Sequence, residues 1–168
     1  MILILDNIRS AHNVGAIFRT ADGAGVEKLY LVGITPQPAK KELYLSDAEK
    51  TLRKTALGAE KTLPWQSVKS LIPLLKRLKK EGYTMLALEQ SAKSIDYRQW
   101  QPVKEEKVVL VVGNEVEGIA PKTLAVVDEV IELPMRGEKN SLNVSVATGI
   151  ALYHLSATME SMKVREKK

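Results

Sequence analysis

Three short polar segments of this 168-residue chain hold side chains suited to binding an anion or aligning a hydroxyl group for reaction. The first runs from Asp6 to Ala21 and contains Asn13, Gly15 and Arg19. Gly15 and Arg19 are four residues apart and share one face of a helix, where the missing side chain leaves room for a ligand or another backbone beside the guanidinium. An arginine so placed can grip a phosphate through two parallel N–H donors. The same spacing also allows an ordinary ion pair between Arg19 and Asp22. In the second segment, Gly113-Asn114-Glu115-Val116-Glu117-Gly118, a glycine lets backbone approach closely and carboxylates stand ready to accept hydrogen bonds. A plain strand-ending turn fits the same residues. The third, Leu133-Pro134-Met135-Arg136-Gly137-Glu138-Lys139-Asn140-Ser141-Leu142-Asn143-Val144-Ser145, is a polar loop leading into a helix whose free N–H groups favour an anion.

Other chemistries are excluded by what these segments lack. Cysteine is absent and histidine occurs only at His12 and His154, so no Cys/His set for zinc or iron-sulfur exists and no metal is expected. Gly113 and Gly118 have the spacing of a phosphate loop, but Ile119-Ala120 stand where Lys and Ser/Thr belong. Gly23-Ala24-Gly25 lacks a third glycine and reads as the end of a helix.

The elements that must position these segments follow from periodicity. Short apolar runs at Ile2 to Leu5, Lys28 to Val32, Tyr83 to Leu88, Val108 to Val112 and Val130 to Leu133 read as buried strands. Helical patterns separate them: Asn13 to Gly25 with Asn13 as its cap, Asp47 to Leu57, Leu71 to Lys80, and Leu142 to about Met159 capped by Ser141. In the last, the spacing of Ser141, Ser145 and Gly149 forms a small-residue stripe that would let another helix or backbone pack closely, a tight contact with the sheet being the plain reading of Gly149. Alternation of strand and helix predicts an α/β fold, a mostly parallel sheet with helices on both faces, in one domain spanning residues 1–168. Ligands in such sheets sit beyond the carboxyl ends of the strands, and the loops after Leu5, Leu88, Val112 and Leu133 are therefore the place for a site.

The net charge is +5, and residues 1–84 carry fourteen basic against eight acidic side chains. Together with the tail from about residue 160, which includes Lys163, Arg165, Lys167 and Lys168, this favours a polyanionic partner and salt-sensitive binding. No apolar stretch reaches the length of a membrane span and the first residues lack a leader pattern, so no membrane partner and a cytoplasmic location are expected.

Taken together, Asn-x-Gly-x-x-x-Arg-Thr at Asn13–Thr20, Gly-Asn-Glu-x-x-Gly at Gly113–Gly118, and Leu-Pro-Met-x-Gly with Ser-Leu-Asn-Val-Ser-Val-Ala at Leu133–Ala147 resemble the three motifs of the SpoU RNA 2′-O-ribose methyltransferases, of the SPOUT superfamily. The resemblance implies a C-terminal deep trefoil knot, S-adenosylmethionine as methyl donor, and a homodimer acting on RNA, tRNA before rRNA. A non-catalytic RNA-binding protein of the same fold is the alternative. It assigns catalytic positions to Asn13, Arg19, Glu115, Ser141 and Asn143, and donor-binding positions to Leu88, Glu89, Gly113, Leu133, Met135 and Leu142. Many relatives carry an added N-terminal RNA-binding domain. Here the first motif begins within the first dozen or so residues, so the catalytic domain is expected to find its RNA unaided.

Overall fold

The computed structural model describes residues 1–40, 43–103 and 107–165, with side chains described as far as Met162. The side chains of Lys163, Arg165, Lys167 and Lys168 lie outside the described residues. In chain order the elements are β1 (Ile2–Asp6), α1 (Ala11–Gly23), β2 (Lys28–Val32), α2 (Asp47–Ala56), α3 (Ala59–Thr62), β3 (Trp65–Val68), α4 (Leu71–Lys80), β4 (Tyr83–Leu88), β5 (Ile95–Asp96), β6 (Lys107–Val112), α5 (Pro121–Leu124), β7 (Glu129–Glu132) and α6 (Val144–Arg165). The strands form one seven-stranded sheet in the order β3-β2-β1-β6-β4-β7-β5. Every pairing in it is parallel.

Apolar side chains on both faces of each inner strand explain the parallel arrangement, because such strands need cover on two sides. From β1, Leu3 and Leu5 join a core with Val14, Ile17 and Phe18 of α1, Leu52 of α2 and Leu152 and Leu155 of α6. Ile2 and Ile4 point the other way, into a second core with Leu71, Leu74, Leu75 and Leu78 of α4. Helices do cover both faces, as the sequence pattern requires.

Two strands escape the apolar-run criterion. β3 is an edge strand whose residues Trp65-Gln66-Ser67-Val68 are half-buried or exposed, and β5 is a two-residue edge strand. Edge strands bury too little to carry a continuous apolar run. The caps also differ from expectation. Ser10, not Asn13, caps α1, accepting the Asn13 backbone N–H at 3.2 Å. α6 begins at Val144 rather than Leu142, and Asn143 rather than Ser141 accepts the first free N–H, that of Ser145, at 2.9 Å. Both corrections have one cause: Ser and Asn cap about equally well, so composition does not choose between neighbours. With Ser141 outside the helix the small-residue stripe is shortened, and Gly149 meets the Thr20 methyl of α1 instead of the sheet.

Gly15 is the tightest helix contact. A Cβ there would lie 2.0 Å from Thr55 Oγ1 and 2.3 Å from the Leu52 carbonyl oxygen, so the space expected beside Arg19 is filled by the backbone of α2. α2 itself is fixed by a Ser46/Glu49 capping box and ended by Leu57 in the left-handed conformation.

Candidate functional site

β1 and β6 are neighbours whose chains then depart in opposite directions, β1 through α1 toward β2 and β6 through α5 toward β7. Divergence of this kind opens a crevice at the carboxyl ends of the strands. The loops after β4, β6 and β7, with the start of α6, build a cleft of about 560 Å³ at those strand ends, a size suited to a small organic ligand. Leu88, Glu89, Gly113, Leu133, Met135 and Leu142 all line it, as do Glu115, Ser141 and Asn143. Polar and apolar groups line it in nearly equal measure, and the end nearest the entrance of α1 carries Glu115 and Asn143.

That end is ordered by a directional chain of hydrogen bonds. Glu115 Oε1 accepts Asn13 Nδ2 at 3.1 Å, Asn13 Oδ1 accepts Asn143 Nδ2 at 3.2 Å, and Asn143 Oδ1 accepts both the backbone N–H and the hydroxyl of Ser145. Because the carboxylate only accepts and the Ser145 N–H only donates, the orientation of both amides is fixed. The Glu115 carboxylate also accepts the backbone N–H groups of Arg9 at 3.0 Å and Ser10 at 3.3 Å. It thereby ties the loop after β6 to the entrance of α1. Partial burial acts to raise the Glu115 pKa, but hydrogen bonds from the Arg9, Glu115 and Ser10 backbone and the Asn13 side chain outweigh it and hold it below the usual 4.5.

A group depressed in this way contributes stability that is present above its unfolded pKa and lost as pH falls through its folded pKa. The stability difference between the parent chain and Glu115→Gln should therefore be full near neutrality and shrink as pH drops from about 4.5 through the lower, folded value. Denaturant unfolding at pH 7, 5 and 3.5 reads this directly. A gap that stays constant with pH would mean that the carboxylate charge is not what ties the loop.

Three contributors went unrecognised in the sequence. Asn114 is buried, donates Nδ2 to the Asn7 carbonyl at 2.8 Å, and accepts the N–H groups of Val116 and Glu117 on Oδ1, which shapes the turn presenting Glu115. Asn7, at φ 58°, fills the space left by Gly33 and accepts the Ile34 N–H. Asn is enriched at positive φ, a signal that the sequence did carry. Ser145 fixes Asn143. Glu89 lines the cleft as expected, and its Oε2 also accepts the Ile119 N–H at 2.7 Å, in a position open because Gly118 has no side chain.

Arg19 does not join this group. It stands six residues beyond Asn13 on α1, about 9 Å along the axis and on another face, in a separate cleft with Ala16, Thr20, Lys54, Thr55, Leu57 and Tyr153. Among the described residues no ion pair joins it to Asp22, whose Oδ1 instead accepts the Thr62 hydroxyl. Neither histidine lines either cleft: His154 packs edge-on against Tyr97 and His12 is exposed. Among the described residues no cluster could hold a metal ion.

The sequence model of the SpoU rRNA Methylase family matches residues 1–153, which include all three polar segments. The chain is a member of the SpoU family. Among SpoU-like relatives, it is 34% identical over 168 residues to the tRNA (guanosine(18)-2′-O)-methyltransferase of Aquifex aeolicus, covering all of this chain and 71% of that enzyme. It is 36% identical over 152 residues to the 23S rRNA (guanosine-2′-O-)-methyltransferase RlmB of Escherichia coli K12, covering 90% of this chain and 58% of that one. The SpoU chain thus spans little more than half the length of the rRNA enzyme. The crystal structure of an AdoMet-bound rRNA methyltransferase from Sinorhizobium meliloti superposes with a TM-score of 0.75 at 26% identity, over 91% of this chain and 54% of that chain.

Proposed function

We propose that this SpoU protein transfers a methyl group from S-adenosylmethionine to a ribose 2′-hydroxyl of RNA, with tRNA the favoured substrate and rRNA the second. The observation that carries the reading is the convergence of all six proposed donor-binding residues with Glu115, Ser141 and Asn143 on one cleft at the strand ends. Guanosine is the nucleoside named in both relatives, and the alignment with the tRNA enzyme runs the full length of this chain. No helix among the described residues is long and apolar enough to cross a membrane, which is compatible with work in the cytoplasm.

The cleft suits the donor chemically. Leu88, Leu133, Met135 and Leu142 give an apolar wall for the adenosine and the thioether-like carbons, while Glu89, Gly113 and Ser141 supply polar groups and close backbone approach. When bound, S-adenosylmethionine supplies a methyl group on a positively charged sulfur. The chain must then align a ribose hydroxyl and stabilise charge developing on its oxygen. The Glu115–Asn13–Asn143 chain sets the polar wall for that alignment. Arg19 clamps phosphate and ribose and stabilises the alkoxide. A guanidinium stays protonated in proteins, so the hydroxyl proton leaves to a phosphate oxygen or to water.

Arg19 and the donor cleft are separate within one chain, and a second copy closes the gap. α6 buries Thr148, Ala151, Leu152 and Leu155 on one side yet leaves Val146 (50%), Ile150 (39%) and Tyr153 (56%) exposed on another. A helix that is apolar on two faces is packed on two faces. Pairing of two protomers across this stripe, as a two-fold homodimer, would set Arg19 of one protomer beside the donor cleft of its partner. The C-terminal trefoil knot belongs to the same reading. It is supported by β7 lying between β4 and β5, which leaves α6 to run back to α1.

The deciding experiment supplies labelled S-adenosylmethionine with separate pools of unmodified tRNA and rRNA, followed by nuclease digestion to place the label on ribose or base. Ribose label in one pool supports the enzyme and names its substrate class. Donor binding without transfer to either pool favours the RNA-binding alternative.

A further inference from the structure

Among the features the donor cleft does not explain, the cleft where α1, α2 and α6 meet is the most informative. It measures about 580 Å³, and Arg19 from α1, Lys54 from α2 and Tyr153 from α6 face it. Among the described residues no carboxylate lines it. Among the described residues neither Arg19 nor Lys54 makes a hydrogen bond or an ion pair, whereas Lys50, one turn earlier on α2, pairs with Asp47 at 3.1 Å. The hydroxyls of Thr20 and Thr55 are donated to helix carbonyls and leave the two cations as the strong donors of the cleft.

The geometry is imposed, not incidental. α2 lies against α1 only because Gly15 has no side chain, and this contact brings Lys54 to the same concavity as Arg19. Two neighbouring cations without an acid repel each other, a cost that an anion between them removes. Arginine offers a planar fork and lysine a compact, mobile point charge, a pairing suited to one phosphate held in a fixed orientation with an adjoining charge neutralised.

We infer that Lys54 is an RNA-binding residue, which with Arg19 forms a two-cation site for the phosphodiester backbone of the substrate. This deepens the RNA methyltransferase reading and rests on it. Lys54 acts in binding and not in the transfer itself, so its removal raises KM and spares kcat.

The test measures binding of an unmodified tRNA transcript by the full chain across a KCl series, beside kcat and KM for methyl transfer and donor affinity. Lys54→Gln is expected to weaken RNA binding about tenfold near 0.1 M salt and to lower the salt slope by about 0.7 to 0.9 for the lost phosphate contact. Donor affinity and melting temperature stay unaltered. Lys54→Arg restores affinity and slope, and Lys50→Gln leaves both as they were. Parental affinity and slope in Lys54→Gln, in a chain that still methylates RNA, would overturn this inference alone. Failure of the parent chain both to bind and to methylate RNA would overturn the enzyme reading and the inference together.

Discussion

Arg19→Lys is expected to lower methyl transfer by about a hundredfold or more, while donor affinity changes by less than about twofold. The substitution keeps the positive charge and the exposed position but removes the fork. If Arg19 only attracted RNA, lysine would serve nearly as well. If it orients a phosphate and stabilises an oxyanion, the loss of one geometry-matched donor costs about 2.7 to 4 kcal/mol in the transition state. Donor affinity should hold because Arg19 lines the α1/α2/α6 cleft and not the donor cleft. Initial rates with labelled donor and calorimetric titration of the donor separate the two effects. Near-normal turnover would sink the clamp role.

Gly15→Ala is expected to lower the melting temperature by about 4–8 °C, the equivalent of about 2 kcal/mol for a chain of this size. Alanine is the better helix former by about 1 kcal/mol, so local propensity alone predicts stabilisation. Overpacking works against it. The new methyl would meet Thr55 Oγ1 at 2.0 Å, the Leu52 carbonyl at 2.3 Å and the Ala56 nitrogen at 3.1 Å. Thr55 can turn aside, but the other two are backbone atoms, and relief requires α1 and α2 to part. Such overpacking costs about 1–3 kcal/mol and sometimes more; with two backbone atoms in the way the upper end applies, which leaves a loss of about 2 kcal/mol after the propensity gain. Lys54 would also move away from Arg19, so RNA affinity should fall with stability. Thermal unfolding of the variant tests the first point, and an unchanged midpoint would mean that the helix pair yields at no cost.

The cleft was legible in the sequence as a place, because strand ends are easy to locate and the loops beyond them were the polar ones, while the donor-binding assignments came from the resemblance to the SpoU motifs. All six residues assigned to donor binding line it together. What lay beyond reach was anything set by the packing of one helix on another. Gly15 reads in a linear sequence as room for a ligand or another backbone, and only the position of α2 reveals that the backbone takes it. Asn13 reads as a helix cap, yet Ser10 takes that task and frees the Asn13 amide for Glu115 and Asn143. Arg19 and Asn13 share a motif, yet Arg19 lines the α1/α2/α6 cleft while Asn13 bonds Glu115 and Asn143 of the other, since six residues of helix carry a side chain round to another face. β3 and β5 were missed for the reason that edge strands generally are: they bury one side or little at all.

The hydrogen bonds that join the polar wall link Asn13 to Glu115 and to Asn143, across sequence separations of 102 and 130 residues. During synthesis, therefore, the first motif waits for most of the chain to be made before its partners exist. A nascent or truncated chain ending before Asn143 has all the strands of the sheet and the α1/α2 pair but cannot complete the hydrogen-bonded wall of the cleft. Closing so wide a loop is slow relative to forming neighbouring contacts, which makes completion of the site a late event. Completion of this wall is in that sense timed by chain length, its last member arriving only when the segment just before α6 has been made.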